Sequence, residues 1–194
     1  LRRPFLIAIA MALGVGALSV VMATPLAWLV ARSDLPARGF VRAVVTASFV
    51  TPPFLGAIAW ELLAAPNSGY INQFWRWITG AEQYEYLVDI YTFEGLVFAI
   101  ACYTYPYVFT LVVNALERVP GDLEDASAML GAPLRRTLRR VTIPLVLPAI
   151  LAGALIAIVQ ALTMFGSPAI LALPSGFHVI TTKIWSFFQF PQRP

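Results

Sequence analysis

Long stretches of this chain carry no charge, and charged residues cluster between them. Pro4 to Ala31 holds none, and neither does Ala43 to Trp60, which is interrupted by Thr51-Pro52-Pro53. A third clear run lies from Gly95 to Leu116, between Glu94 and Glu117. A fourth extends from Val141 to Phe177, where Pro168 and Pro174-Ser175-Gly176 place the helix end near Phe165. A bilayer core of roughly 30 Å needs about 20 apolar residues in helical form. The pattern therefore predicts spans at about 4–31, 43–65, 95–116 and 144–165. A partial fifth begins at about Val179, with Lys183, Trp185 and Phe188, and stops at Pro194, too short to cross. The runs are continuous, not alternating over about ten residues, so helices satisfy their backbones and a barrel is disfavoured. Arg2-Arg3 before the first run imitates a secretory signal, but the run exceeds an h-region of roughly 7–15 residues.

Composition narrows the class. Of 194 residues, 59% are apolar and 12% charged, against roughly 45–50% and 25% in ordinary soluble domains. Disorder, which needs low hydrophobicity, is excluded. A single cysteine, Cys102, allows neither an internal disulfide nor a multi-cysteine metal site. A net charge of +3 without a basic stripe gives no footprint for nucleic acid. The fold class is all-α, a polytopic transmembrane helical bundle.

Close helix packing in lipid relies on small residues. Ala149, Gly153, Ala157 and Ala161 recur every four residues and predict a packing face on the fourth span; Ala10/Gly14 and Ala12/Gly16 do so more briefly on the first. Arg32, Arg38 and Arg42 follow the first span, and Arg118, Arg135, Arg136, Arg139 and Arg140 follow the third. The positive-inside rule puts both segments in the cytoplasm, with Arg2 and Arg3 in dissent. The outer segment, about Pro66 to Phe93, carries Trp75, Trp77, Tyr84, Tyr86 and Tyr91, as expected at an interface, and predicts a short amphipathic surface helix over 71–78.

One inner segment, residues 120–143, has its own architecture. Asp122 suits an N-cap, with Glu124 and Asp125 in the electropositive first turn. Gly131 suits a left-handed helix end. Pro133 suits the first position of a second helix. That second helix then runs into the fourth span at Pro144. The result is a helix–turn–helix elbow fixed to a spanning helix.

Asp125-Ala126-Ser127, three residues, Gly131, nine residues, then Val141-Thr142-Ile143-Pro144 resembles the EAA motif of ABC importer permeases. The family pattern is Glu-Ala-Ala, three residues, Gly, nine residues, Ile-x-Leu-Pro, and the spacing is kept throughout. Asp125, Ser127, Val141 and Ile143 are conservative departures. The resemblance implies the MetI-like permease core, C-terminally truncated, in a bacterial inner membrane. It also implies that the elbow inserts into a groove of a cytoplasmic ATPase. Asp125, Ala126, Ser127, Gly131, Pro133, Ile143 and Pro144 would then shape the elbow, Met129 and Leu130 supply its apolar contact, and Arg135 and Arg136 flank it. The implied partners are an ATPase dimer, a second permease or fused second half, an extracytoplasmic solute-binding protein and membrane lipid. Tyr103–Tyr107, Leu123–Ala132 and the tail from Pro174 to Pro191 resemble the iron(III), spermidine/putrescine and thiamine branch, so iron(III), a polyamine or thiamine is the solute this resemblance suggests.

Nucleotide chemistry is absent from the motifs. Lys183 is the single lysine, and no Gly-Lys pair offers a phosphate-binding loop, so ATP and Mg belong to a partner and no cofactor is expected here. No Ser–His–Asp or paired-carboxylate set supports catalysis, and His178, the one histidine, lacks companions for a metal. Glu61 at a span end, with Asn114, Gln160 and Thr163, forms the candidate translocation path; intramembrane polar groups equally serve helix–helix hydrogen bonds. A passive channel, which would need a selectivity ring but no elbow, and an intramembrane enzyme are the rival readings.

Overall fold

The computed structural model describes residues 2–189, and ten α-helices lie among them. Helix α1 (Arg2–Arg32) and helix α5 (Phe93–Arg118) are uninterrupted despite Pro25 and Pro106. Helices α7 (Leu134–Thr137) and α8 (Ile143–Thr163) are joined by a π-helical turn over Leu138–Thr142 into one rod of 30 residues. These three are long and apolar enough to cross a membrane. Pro144 and Pro148 lack the N–H groups that an α-helix needs at those positions, and a widened π turn just before them is a usual response to such a defect.

The expected second span is not one rod. Helix α2 (Arg38–Ala47), with a 3₁₀ turn over Ser48–Val50, meets helix α3 (Pro53–Ala64) at 105°. Thr51 and Pro52 are extended because each precedes a proline, whose ring disfavours the helical region for the residue before it. Counted as one broken span, the pair brings the total to four.

Helices α1, α5 and α8 pack against one another as the core. The small-residue face of α8 is where they meet: Gly153, Ala157 and Ala161 are buried and Ala149 half-buried. A Cβ at Gly153 would lie 2.7 Å from the Cα of Val108, so α5 and α8 touch backbone to backbone there. On α1, Ala12 and Gly16 are buried, with Gly16 against Ile158; of the other predicted pair, Gly14 lies against Val97 of α5 while Ala10 is exposed. Ser19 and Thr104, both fully buried, join α1 to α5 through a 2.9 Å hydroxyl–hydroxyl bond.

The predicted surface helix is α4 (Tyr70–Thr79). It is held by two side chains that composition did not single out. Asn72 is completely buried; its amide donates to the carbonyls of Ala65 and Val88, and its oxygen accepts from the N–H groups of Leu87 and Val88. Arg76 donates to the carbonyls of Pro66, Asn67 and Glu85. Both ends of the outer segment are thereby closed onto α4. Helix α6 (Asp122–Met129) forms the elbow, helix α9 (Gly166–Leu171) follows α8, and helix α10 (Ile180–Gln189) begins the fifth predicted span; the stretch 190–194 lies outside the described residues.

Candidate coupling and translocation sites

The elbow has the helix–turn–helix form expected, with its boundaries shifted by one residue at each helix start. Helix α6 starts at Gly121, not at an Asp122 cap: Asp122 is the first helical residue and its side chain makes no capping bond. Its carboxylate still joins those of Glu124 and Asp125 in the first turn, where the helix dipole favours negative charge. Gly131 has φ +76°, and the N–H groups of Gly131 and Ala132 return to the carbonyls of Ala128 and Ser127, closing the helix end. Pro133 caps α7 instead of occupying its first turn. Ser127 and Thr137 then bridge the two short helices through their hydroxyls at 2.8 Å.

At the tip, Met129 is 90% exposed and Leu130 88% exposed. Asp125, Ala126, Arg135 and Arg136 are exposed beside them, and Ile143 and Pro144 are exposed at the start of α8. Two neighbouring apolar side chains are held out on the turn, with four exposed arginines (Arg135, Arg136, Arg139 and Arg140) following, an apolar and basic patch open to solvent.

The candidate path residues do not stay together. Gln160 and Thr163 line a polar cavity of about 250 Å³ with Pro53, Phe54, Tyr103, Met164, Phe165 and Gly166. Gln160 donates to the Tyr107 hydroxyl at 3.0 Å, and Phe49 meets the Tyr107 ring edge-on. The cavity sits where two broken helices meet: Ser167 donates to the Pro53 carbonyl, and a Cβ at Gly166 would lie 3.0 Å from that of Phe54. Irregular backbone at membrane depth is tolerated where it is buried in protein or lines a cavity. Glu61 is elsewhere. It accepts a 2.6 Å hydrogen bond from the Tyr91 hydroxyl, closing the outer segment onto α3. Burial first, and then Glu61, pushes the Tyr91 phenol up to about 12, so it remains a donor. Asn114 is exposed near the Arg118 end of α5, 11 residues beyond the cavity-lining Tyr103.

Among the described residues, no three His, Cys, Asp or Glu side chains gather as a metal site. Cys102 is half-buried on α5.

The family model described as binding-protein-dependent transport system inner membrane component matches residues 23–193. The chain belongs to this family. It is a multi-pass inner-membrane component of an ABC importer, and membership implies an ATPase and a solute-binding protein as partners. The chain is 27% identical over 192 residues to the molybdenum transport system permease protein ModB of Escherichia coli, covering 95% of this chain and 80% of that one. To the sulfate transport system permease protein CysT of Salmonella typhimurium it is 26% identical, covering 84% and 56%. To the trehalose/maltose transport system permease protein MalF of Thermococcus litoralis it is 28% identical, covering 71% and 46%. A crystal structure of an amino acid ABC transporter with histidines shares the fold, with a TM-score of 0.57 at 17% identity, covering 97% of this chain and 78% of that one. The iron, polyamine and thiamine expectation gains no support, since these relatives are named for molybdenum, sulfate and sugars.

Proposed function

We propose that this chain forms the translocation path of an importer for a small oxyanion, paired with a second permease and driven by two ATPase subunits that bind ATP and Mg. The observation that carries the ATPase contact is the exposed Met129–Leu130 pair on an elbow continuous with α8. ATP closes the ATPase dimer, the elbows follow, and the spanning helices turn outward; only a difference in nucleotide affinity between the two states can drive that shift. The solute class is supported by the molybdenum and sulfate relatives. The uncharged cavity around Gln160, Tyr103 and Thr163 suits it, because hydrogen-bond donors can hand an anion along without trapping it.

The test is expression with the ATPase and binding-protein genes of its chromosomal neighbourhood, followed by purification and reconstitution into vesicles. The wild-type complex retains the ATPase, while Met129→Asp with Leu130→Asp loses it without losing membrane insertion. Uptake is then compared for molybdate, sulfate, maltose, iron(III) citrate, putrescine and thiamine. An ATPase that stays bound to the double variant overturns the coupling surface. Uptake of the sugar, the metal or an organic cation in preference to both oxyanions overturns the solute class.

A further inference from the structure

Glu124 belongs to the elbow but faces inward, away from the exposed tip. Its carboxylate lies between two parts of the molecule that are far apart in sequence. One oxygen, Oε1, accepts a 2.6 Å hydrogen bond from the hydroxyl of Thr142, which is 3% exposed and closes the π turn that leads into α8. The other, Oε2, faces the guanidinium of Arg32, the last residue of α1, at 3.5 Å. Both charged side chains are largely covered, at 15% and 19% exposure, so solvent and salt screen this pair less than an ordinary surface pair. Arg32 is itself fixed, because its Nη2 donates at 2.6 Å to the carbonyl of Val119, the residue that ends α5. A cation at that helix end is favoured by the dipole as well. The second bond between the elbow helices, Ser127 to Thr137, ties α6 to α7 and reaches no other part of the bundle.

We propose that Glu124 is the positioning residue that pins the elbow simultaneously to α1 and to the π turn of α8, so that displacement of α6 moves both spanning helices together. This rests on the elbow being the ATPase contact. Without the pin, α6 would remain joined to α8 through the chain, but its tie to the end of α1 would be gone, and α1 would follow only through its packing on α5 and α8. The π turn would also lose the one side-chain bond that Thr142 makes to α6. A two-state element transmits only when its parts have few independent ways to move. The carboxylate removes two of them at once.

The distance test uses the assembled complex with its ATPase in a Cys102→Ala background. Spin labels are placed at Asp34→Cys, just beyond α1, and Ala128→Cys on α6, both exposed positions. In the parent protein the label distance is narrow and the same without nucleotide as in the vanadate-trapped ATP state. In Glu124→Ala it broadens and shifts on trapping, and in Thr142→Val with Arg32→Gln it does the same. Adding Thr142→Val to Glu124→Ala has no further effect, because the hydroxyl's partner is already gone with the carboxylate.

The functional readout is molybdate or sulfate accumulated per ATP hydrolysed. It falls by about tenfold in Glu124→Ala while ATP hydrolysis continues, within the range of ordinary coupling free energies. Glu124→Gln, which keeps an acceptor for Thr142 but no charge for Arg32, falls between. A parallel loss of hydrolysis and uptake would show a merely structural role and overturn the pin, as would a label distance that changes in the parent or stays narrow in Glu124→Ala. If the parent complex does not hold the ATPase at all, the elbow assignment itself fails and takes the pin with it.

Discussion

Gly131 is the residue on which the elbow turns, and the reason is backbone and not space. A Cβ there would touch nothing within 4 Å, yet φ is +76°. An L-residue in that region costs roughly 1–2 kcal/mol, with Asn the mildest. Gly131→Val is therefore expected to leave insertion and abundance intact, lower uptake by several-fold and weaken ATPase retention; Gly131→Asn is expected to retain most of both. Immunoblotting of membranes beside vesicle uptake checks this, and unchanged uptake in Gly131→Val would remove the glycine from the coupling argument. Gly131 and Pro144 were legible in the sequence, and Pro133 to within one position, because their signals are local: each restricts its own backbone or a neighbour's. Glu124 was not singled out beyond its place in the first turn. Its partners are Arg32, at the end of another helix, and Thr142, across the turn. Asn72 was missed for the same reason, since its four bonds close a loop whose path must be known first.

Among the elements, α8 was foreseen well, and Gly153 shows why. Small residues every four positions describe a face without needing to name what it meets. The structure supplies the partner: Val108 of α5 approaches so closely that any side chain at Gly153 must push the helices apart. Overpacking of this kind costs typically 1–3 kcal/mol. Gly153→Leu is expected to lower the thermal unfolding temperature in detergent, whereas Gly39→Ala, at an exposed position of α2 with nothing within 4 Å, leaves it unchanged or raises it. Scanning fluorimetry of the two variants checks the contrast. The broken pair α2 and α3 was half legible. Thr51-Pro52-Pro53 was visible as an interruption, but the turn of 105° packs onto a second helix break, where Gly166 and Ser167 at the start of α9 receive it. Short α9 was not expected, because Pro168 suggested an end to one helix and gave no sign of the next.

At the scale of the molecule, charge placement predicts orientation. The elbow with Arg135 and Arg136 shares one end of the bundle with Arg32 and Arg42, and α4 with its exposed Trp77, followed by the loop that carries exposed Tyr84, lies at the other. In intact cells of a Cys102→Ala background, Arg136→Cys is expected to resist a membrane-impermeant maleimide until the cells are opened, and Tyr84→Cys to react at once. The reverse result would invert the topology. Spans and loops of this kind are legible from the sequence because lipid imposes a single rule along its whole depth. The contacts among them are not, because they depend on which helix lies beside which. The rod formed by α7, the π turn and α8 has a mechanical consequence. Its backbone meets that of α5 at Gly153, which stands about 28 Å from Leu134 and about 15 Å from Thr163 along an axis rising 1.5 Å per residue. With the fulcrum there, the two arms differ nearly twofold. A stroke at the elbow that pivots there would reach Thr163, on the cavity wall, at about half the amplitude and twice the force.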